Sequence, residues 1–365
     1  MSLLSKTHSR IQELEEELKT TKYNKRSQHH IGLIKAKLSI LRENQIKSSG
    51  QKSPPTVKKS GDATVLLVGF PSVGKSTLLN AITNANSKVA HYAFTTLDCI
   101  PGLLEYKHAK IQILDVPGIV AGASEGKGRG KSSLSYAMAS DMALIIIEVF
   151  HPEHLEIILN ELNNYNLRIN QKKPDVKIEK KSYGGLDIGT TVRLTKIDRQ
   201  TIVDILKEFR ILNGNVVIRE DITPEQLIDV IEGNKKYIPA IIVVNKIDMA
   251  GSDDIKKVNE IFKPDIFISA ENKTNLEELK RFIFTRLALI RIYCKEIGKK
   301  ADLDVPLIMT QEATLREVCL KLHRDFADKF RFARIWGKSV KYQGMPVRRL
   351  EFKLSDGDVV ELHIR

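Results

Sequence analysis

Cysteine is scarce in this chain of 365 residues. Cys99, Cys294 and Cys319 are scattered, odd in number and without C-x-x-C spacing. That argues against a disulfide framework and a thiolate zinc site, and suits a reducing cytosol. Long hydrophobic runs are lacking too. No apolar stretch approaches the roughly 18–20 residues that a membrane helix needs. The first residues, MSLLSKTHSR, have no sustained apolar region and no small-residue cleavage site, so no secretory signal is expected. A cytoplasmic protein with no membrane partner is the expectation. With 42% hydrophobic residues the chain can still bury real cores, and its length allows two or three domains.

Acidic residues are outnumbered overall, but not everywhere. Residues 1–61 hold 13 Lys/Arg against 5 Asp/Glu. Residues 168–200 hold 9 against 4, and residues 314–365 hold 12 against 7. The remainder holds 24 against 29, so the net charge of +13 comes entirely from three appendages to a mildly acidic core. Patches of this kind favour a polyanionic partner, nucleic acid above all, over plain solvation.

Hydrophobic spacing divides the chain. Residues 6–18 read as a helix with Ile11, Leu14 and Leu18 on one face. A second helix from about Gln28 to Glu43 carries Ile31, Ile34, Leu38 and Leu41, with Lys35, Lys37 and Arg42 off that stripe. KSSGQKSPPTVKKSG (47–61) has linker composition. From ATVLLVGF onward, the strand-like runs 110–116, 142–150, 240–247 and 265–270 alternate with helical patterns at 76–84, 131–139 and 153–164. That implies a mainly parallel sheet with helices on both faces. The rhythm breaks at 167–235, which holds strand-like TTVRLTK and NVVIRE, a helix at 200–210, and a helix in TPEQLIDVIEG with Thr223 as N-cap before Pro224. It reads as an inserted α+β subdomain. A helix is expected over 274–292. A last unit contains helical TLREVCLKLH and a hairpin in RRLEFKLSDGDVVELHIR, turning at Ser-Asp-Gly-Asp.

Three motifs carry chemistry. Gly69-Phe70-Pro71-Ser72-Val73-Gly74-Lys75-Ser76, continued by Thr77, is a complete G-x-x-x-x-G-K-S between a strand and a helix. Its glycines let backbone N–H groups close around a β-phosphate, at the positive end of a helix. Lys75 would place its charge on the β- and γ-phosphates, and Ser76 would ligate Mg²⁺. Asp115-Val-Pro-Gly118 ends the next buried strand. Its carboxylate can hold Mg²⁺ through water, and the Gly118 N–H can sense a γ-phosphate. Asn245-Lys246-Ile247-Asp248 ends a third. A carboxylate only accepts hydrogen bonds, and guanine offers N1–H and a 2-amino group side by side where adenine offers an acceptor. Asp248 therefore selects GTP/GDP over adenine nucleotides by leaving the wrong base opposite an unpaired charge. Asn245 would brace the neighbouring loop and the Lys246 stem would cover the base. Ser269-Ala270-Glu271 follows the next strand, where a backbone N–H could reach guanine O6.

Two further segments look responsive to the nucleotide. In Tyr92-Ala-Phe-Thr95-Thr96-Leu, Thr96 is preferred over Thr95 to complete the Mg²⁺ shell while γ-phosphate is present. The loop Gly122-Ala-Ser-Glu-Gly126-Lys-Gly128-Arg129-Gly130-Lys131 trails the second motif, with basic side chains suited to phosphates. Lys75, Thr96 and Gly118 are the residues expected to act on the γ-phosphate.

In family order, G-F-P-S-V-G-K-S, F-T-T-L, D-V-P-G-I and N-K-I-D resemble the translation-factor-related GTPases of the Obg type. The loop GASEGKGRGK and the N-terminal NKRSQHHIGLIKAKLSILRE narrow the resemblance to the developmentally regulated GTP-binding proteins of archaea and eukaryotes. It covers nearly the whole chain and implies a helical hairpin (1–46), a linker (47–61) and an α/β P-loop GTPase domain (62–167 and 236–290). It also implies an inserted subdomain resembling a ribosomal-protein S5 fold (168–235) and a ubiquitin-like TGS domain (291–365). It further implies work on ribosomes or ribosomal RNA in translation and a dedicated stabilising protein partner. Ile119 stands where Ras-like enzymes carry a water-orienting glutamine. It cannot hydrogen-bond, so slow intrinsic hydrolysis is expected until another group completes the site. Several relatives use a potassium ion held partly by a P-loop asparagine. Ser72 stands there in this chain, and its hydroxyl can still ligate a cation. The alternatives are a GTP-switched module that recruits a protein, with incidental RNA contact, and an ATPase, which the intact Asn245-Lys246-Ile247-Asp248 opposes.

Overall fold

Buried β-branched runs alternate with amphipathic helices along most of the chain. The computed structural model describes residues 3–21, 27–48, 61–83, 100–116 and 130–364. Two long helices lead, α1 (Leu3–Thr20) and α2 (Gln28–Ser48). Then come β1 (Ala63–Val68), α3 (Lys75–Ile82), β2 (Ile100–Tyr106), β3 (Ala109–Asp115), α4 (Gly130–Ala139), β4 (Met142–Glu148), α5 (His154–Asn164) and β5 (Leu167–Ile169). The middle of the chain forms β6 (Val176–Lys180), β7 (Leu186–Thr190), α6 (Arg199–Glu208), β8 (Gly214–Ile218), α7 (Pro224–Glu232) and β9 (Lys236–Ile238). Next are β10 (Ala240–Asn245), α8 (Ser252–Ile261), β11 (Ile266–Phe267) and α9 (Leu276–Arg286). The last stretch is β12 (Leu289–Cys294), β13 (Leu307–Thr310), α10 (Leu315–Leu322), β14 (Phe330–Trp336), β15 (Met345–Val347) and β16 (Val359–Ile364). Two compact units result: Met1–Pro54 with Gln171–Tyr237, and Pro55–Asn170 with Ile238–Arg365. Among the described residues no helix is long and apolar enough to cross a membrane.

The larger unit holds a six-stranded sheet in the order β11-β10-β4-β1-β3-β2, parallel except for the edge strand β2. Its central strands are apolar on both sides because helices cover both faces. Val65, Leu67, Ile113, Leu144 and Ile146 pack with Leu78 and Leu79 of α3 and Leu279 and Ile283 of α9. The alternate residues Leu66, Val68, Leu114, Ile145 and Ile147 pack with Ala137 of α4 and Ile158 and Leu162 of α5. Register aligns Leu67 with Asp115, Val68 with Ile145, and Asn245 with Glu148, so the carboxyl ends of β1, β3, β4 and β10 lie level. That edge is where an open parallel sheet binds ligands.

The C-terminal sheet runs β13-β12-β16-β14-β15 and carries α10 on its inner face through Leu315 and Val318. A capping box between Thr314 and Glu317 starts α10. Leu289 and Ile308 point the other way, into the core beside α3 and α9, so this sheet is fused to the nucleotide-type domain by a shared core.

Three expectations change. The helix expected over 274–292 stops at Arg286, because Ala288 turns left-handed (φ 50°) and the β-branched LIRIYC pairs as β12. RRLEFKL does not form a hairpin with the last strand. β16 pairs instead with β14 and β12, and the turn Ser355–Asp358 is tied back by the buried Asp358, whose carboxylate accepts from the N–H groups of Lys338 and Ser355 (2.9 and 2.8 Å). TTVRLTK is not a strand. The pairing strand is the preceding β7, while Asp221 accepts from the N–H and hydroxyl of Thr195 (2.8 and 2.5 Å), which holds the segment in an irregular path.

In the smaller unit, α1 and α2 pack through Ile11, Leu14, Ile34 and Leu38, the stripe read from the sequence. The three-stranded sheet β6-β8-β7 is covered by α6 and α7, and Ala36 of α2 enters the same core. Gly32 permits the approach: a Cβ there would lie 3.2 Å from the Thr201 methyl and 3.3 Å from Pro224 Cβ. Thr223, Gln226, Pro224 and Gly233 build the expected cap, start and stop of α7. Lys35, Lys37 and Arg42 are each ion-paired, with Glu225, Glu208 and Glu15. The hairpin's cations are thus partly spent within the unit. Gly32→Leu should overpack this contact and lower stability by about 1–3 kcal/mol. Urea unfolding followed by circular dichroism checks it, and an unshifted midpoint would contradict the packing.

Candidate nucleotide-binding site

The G-x-x-x-x-G-K-S segment leaves β1 and turns directly into α3. Two glycines make the turn possible. A Cβ on Gly69 would sit 2.6 Å from the Ile146 carbonyl oxygen, and one on Gly74 would sit 2.5 Å from Asn245 Nδ2. Gly74 is also left-handed (φ 92°), as is Ser72 (φ 64°), a conformation that costs a non-glycine residue roughly 1–2 kcal/mol. Pro71, Ser72, Ser76 and Thr77 are exposed, while Val73 is buried at 2% exposure and anchors the loop. Gly74 caps α3 without a side-chain hydrogen bond, so the first-turn N–H groups are left to an anion.

Lys75 is half-buried and donates to the carbonyls of Gly69 (3.0 Å) and Phe70 (2.8 Å), the walls of its own loop. Burial pushes its ammonium pKa down, and the charge of Asp115 partly offsets that. Asp115 ends β3 at 8% exposure. Burial pushes its carboxyl up, and Lys75 partly offsets that. Each charge is therefore poorly solvated, Lys75 being held by two loop carbonyls and each of the pair offsetting part of the other's burial. A polyphosphate with a divalent cation would supply both missing partners. Hard oxygen donors on Ser76 and Asp115 suit Mg²⁺.

The third motif closes the site through one side chain. Asn245, 2% exposed, donates from Nδ2 to the Val73 carbonyl (2.8 Å) and accepts at Oδ1 from the Ala270 N–H (3.0 Å). It thus holds the phosphate loop and the Ser269-Ala270-Glu271 segment in one network. Ser269 is fully buried and takes the Asn272 N–H on its hydroxyl (3.0 Å), which shapes that segment. Lys246 is left-handed (φ 67°), and its ammonium meets Glu148 at 3.0 Å. Asp248 lies exposed in the 3-10 turn Ile247–Met249.

The structure therefore brings Gly69 through Thr77, Asp115, Asn245, Lys246, Asp248 and Ser269 through Glu271 to the same edge of one sheet. Thr96, Gly118, Ile119 and the loop 122–129 lie outside the described residues. Two participants were not read from the sequence. Glu148 holds Lys246, and its signal was an acid closing the apolar run of β4, level with Asn245. His154 stacks on Phe70 (centroids 3.9 Å apart, planes at 22°), and no periodicity marks it.

Asn245→Ala should remove both bonds and leave buried backbone groups unpaired, at about 1–3 kcal/mol each. Gly74→Ala should have a comparable or larger effect because its new methyl meets Asn245. Fluorescent GDP titration should show affinity falling by at least an order of magnitude for both, and wild-type affinity in either would contradict the network.

Family models match the chain from residue 64 to residue 364. One described as a 50S ribosome-binding GTPase matches residues 64–181, one described as the C-terminal region of the same domain matches 183–289, and a TGS domain matches 290–364. A GTP-binding protein of Methanocaldococcus jannaschii is 52% identical over 362 residues, covering 97% of this chain and 92% of that protein. The developmentally regulated GTP-binding protein 1 of Xenopus laevis is 40% identical over 368 residues, covering 98% and 99%. Among solved structures, the YchF GTPase of Schizosaccharomyces pombe aligns at 15% identity and a TM-score of 0.48, covering 85% of this chain and all of that one. With these identities sustained end to end, and a P-loop domain followed by a TGS domain, the chain belongs to the developmentally regulated GTP-binding proteins and is a GTPase.

Proposed function

We propose that this GTPase is a slow, Mg²⁺-dependent switch that works on the ribosome or its RNA during translation, in the cytoplasm. In this reading the first-turn N–H groups of α3 take the β-phosphate, and Lys75 leaves the Gly69 and Phe70 carbonyls for the β- and γ-oxygens. Ser76, Asp115 and Thr96 would hold Mg²⁺, which offsets charge on the transferring phosphoryl group. Gly118 would meet the γ-phosphate. Ile119 offers no hydrogen bond to the attacking water, which is the reason for slow unaided turnover. A ribosomal surface or a stabilising protein would complete the site.

The observation that carries the RNA half of the reading is where the unpaired cations sit. Lys35, Lys37 and Arg42 in the hairpin are ion-paired, whereas Arg331, Arg334, Lys338, Lys341, Arg348 and Arg349 in the C-terminal domain, and Lys172, Lys173, Lys180, Lys181 and Arg193 in the inserted segment, are exposed and form no ion pair among the described residues. Concentrated unpaired charge of one sign suits phosphates. The competing reading is a GTP-switched module that recruits a protein.

Two measurements test the proposal. Asp248→Asn presents an amide donor where guanine also presents a donor, whereas xanthine offers a carbonyl at that place. GTP affinity should fall by roughly a hundredfold or more and XTP affinity should rise, as read by competition against fluorescent GDP. Unchanged GTP affinity would overturn the base-reading role. The second is ribosome co-sedimentation at graded salt with a GTP analogue or GDP. Association should depend on the nucleotide and weaken steeply with salt. No association in either state would favour the recruitment module.

A further inference from the structure

The turn that leaves β4 folds back so that three side chains converge. In Phe150-His151-Pro152-Glu153-His154 the His151 N–H donates to the Glu148 carbonyl (3.1 Å) and the His154 N–H to the His151 carbonyl (3.2 Å). The Leu155 N–H donates to the Pro152 carbonyl (3.2 Å), and α5 begins at once from His154. One ring nitrogen of His151, one of His154 and a carboxylate oxygen of Glu153 consequently lie within 4.8 Å of one another. The two imidazoles stack with centroids 5.0 Å apart and planes at 22°. His151 Nδ1 meets Glu153 Oε1 at 2.9 Å. His151 and Glu153 are exposed, so the cluster opens to solvent, while His154 is partly buried behind them.

Two observations separate this cluster from an ordinary surface ion pair. A His151–Glu153 pair is complete by itself, yet His154 Nδ1 is buried and has no hydrogen-bond partner among the described residues. A buried polar atom left unpaired is costly, and a metal ion is one partner that takes a nitrogen lone pair. The same His154 ring also stacks on Phe70, the second residue of the phosphate loop, whose carbonyl accepts from Lys75 (2.8 Å). Two imidazoles and a carboxylate are a donor set for a borderline divalent ion such as Zn²⁺, whereas Mg²⁺ and Ca²⁺ prefer oxygens alone. Zn²⁺ bond lengths of about 2.0–2.1 Å in a tetrahedron put ligand atoms roughly 3.3 Å apart, which rotation of the exposed His151 and Glu153 side chains can reach. Glu153 and Glu156 stand at the amino end of α5 and offset the positive end of the helix.

We infer that His151, Glu153 and His154 bind one divalent transition-metal ion of the Zn²⁺ type, and that this ion clamps the phosphate loop through the His154–Phe70 stack. Three protein ligands leave a fourth position for water. A ligated His154 ring is fixed, so Phe70 packs against a fixed surface and the turn from Gly69 to Lys75 loses freedom before a nucleotide arrives. Ordering completed in advance is gained as affinity. By linkage the nucleotide must tighten the metal by the same factor. The site is separate from Ser76 and Asp115, whose oxygens suit Mg²⁺, and its ion takes no part in phosphoryl transfer. It does not depend on the ribosomal reading.

The full-length protein is stripped with a chelator, loaded with GDP and excess Mg²⁺, and titrated with Zn²⁺ against a chromophoric zinc chelator. One ion per chain should bind in competition with that chelator. H151A and E153Q alter only exposed side chains, and circular dichroism melting checks that both fold as the wild type does. Each should weaken Zn²⁺ binding about tenfold or more, since even an outer partner of a metal ligand is worth that much. H154A should lose the site. Fluorescent GDP titration, again in excess Mg²⁺, should show Zn²⁺ tightening GDP binding by about fivefold or more in the wild type, the usual scale of coupling between two sites. Zn²⁺ should have no effect on GDP in H151A or E153Q. No bound Zn²⁺, or Zn²⁺ binding that both exposed-residue variants leave unchanged, would overturn the site and assign any ion to other ligands. Zn²⁺ binding that needs these residues but leaves GDP affinity unaltered would overturn the clamp.

Discussion

Much of the nucleotide site depends on the side-chain amide of Asn245. Its two ends have opposite polarity, and each meets a backbone group of the opposite kind, the Val73 carbonyl and the Ala270 N–H. Neither end has slack, because the residue is buried and the Gly74 backbone passes too close to accept even a methyl group. A loop that must wrap a phosphate cannot bury many of its own polar groups in itself. Here its stiffness is borrowed from a residue 172 positions away in sequence. The same amide fixes the segment at 269–271, so the P-loop and that segment are positioned by one group.

The parallel sheet makes that economy possible. Strands whose tips are level place residues from β1, β3, β4 and β10 along one edge, although a long excursion of chain separates β4 from β10. Half-buried Lys75, held by two carbonyls of its own loop, and the buried Asp115 are set against each other there. Such a pair costs folding energy and is ready for a ligand that brings both signs. The strain of left-handed Ser72 and Lys246 belongs to the same edge.

The basic appendages differ in how their charge is used. In the smaller unit, acids of α6 and α7 answer the lysines of α2, so those charges help to hold the hairpin in place. In the C-terminal domain the arginines of β14 and of the stretch after β15 stay uncommitted. Composition treats these cations alike, and the contacts separate them.

The sequence by itself determined the nucleotide chemistry. G-x-x-x-x-G-K-S, Asp115 and Asn245-Lys246-Ile247-Asp248 are local strings whose meaning depends only on a strand before and a turn after. The α7 boundaries were equally legible, since Thr223, Pro224, Gln226 and Gly233 act within one turn of backbone. Pairing was not legible. The last strand joined β14 and β12 rather than its neighbour in sequence, and Leu289 began a strand rather than continuing a helix. Strand partners are chosen by burial across the whole sheet, which local propensity does not encode. For the same reason, only the tertiary structure decided that Asn245 reaches Val73, that Glu148 holds Lys246, and that α2 serves two cores at once. Each of these depends on which residues become level or opposed once distant segments pack.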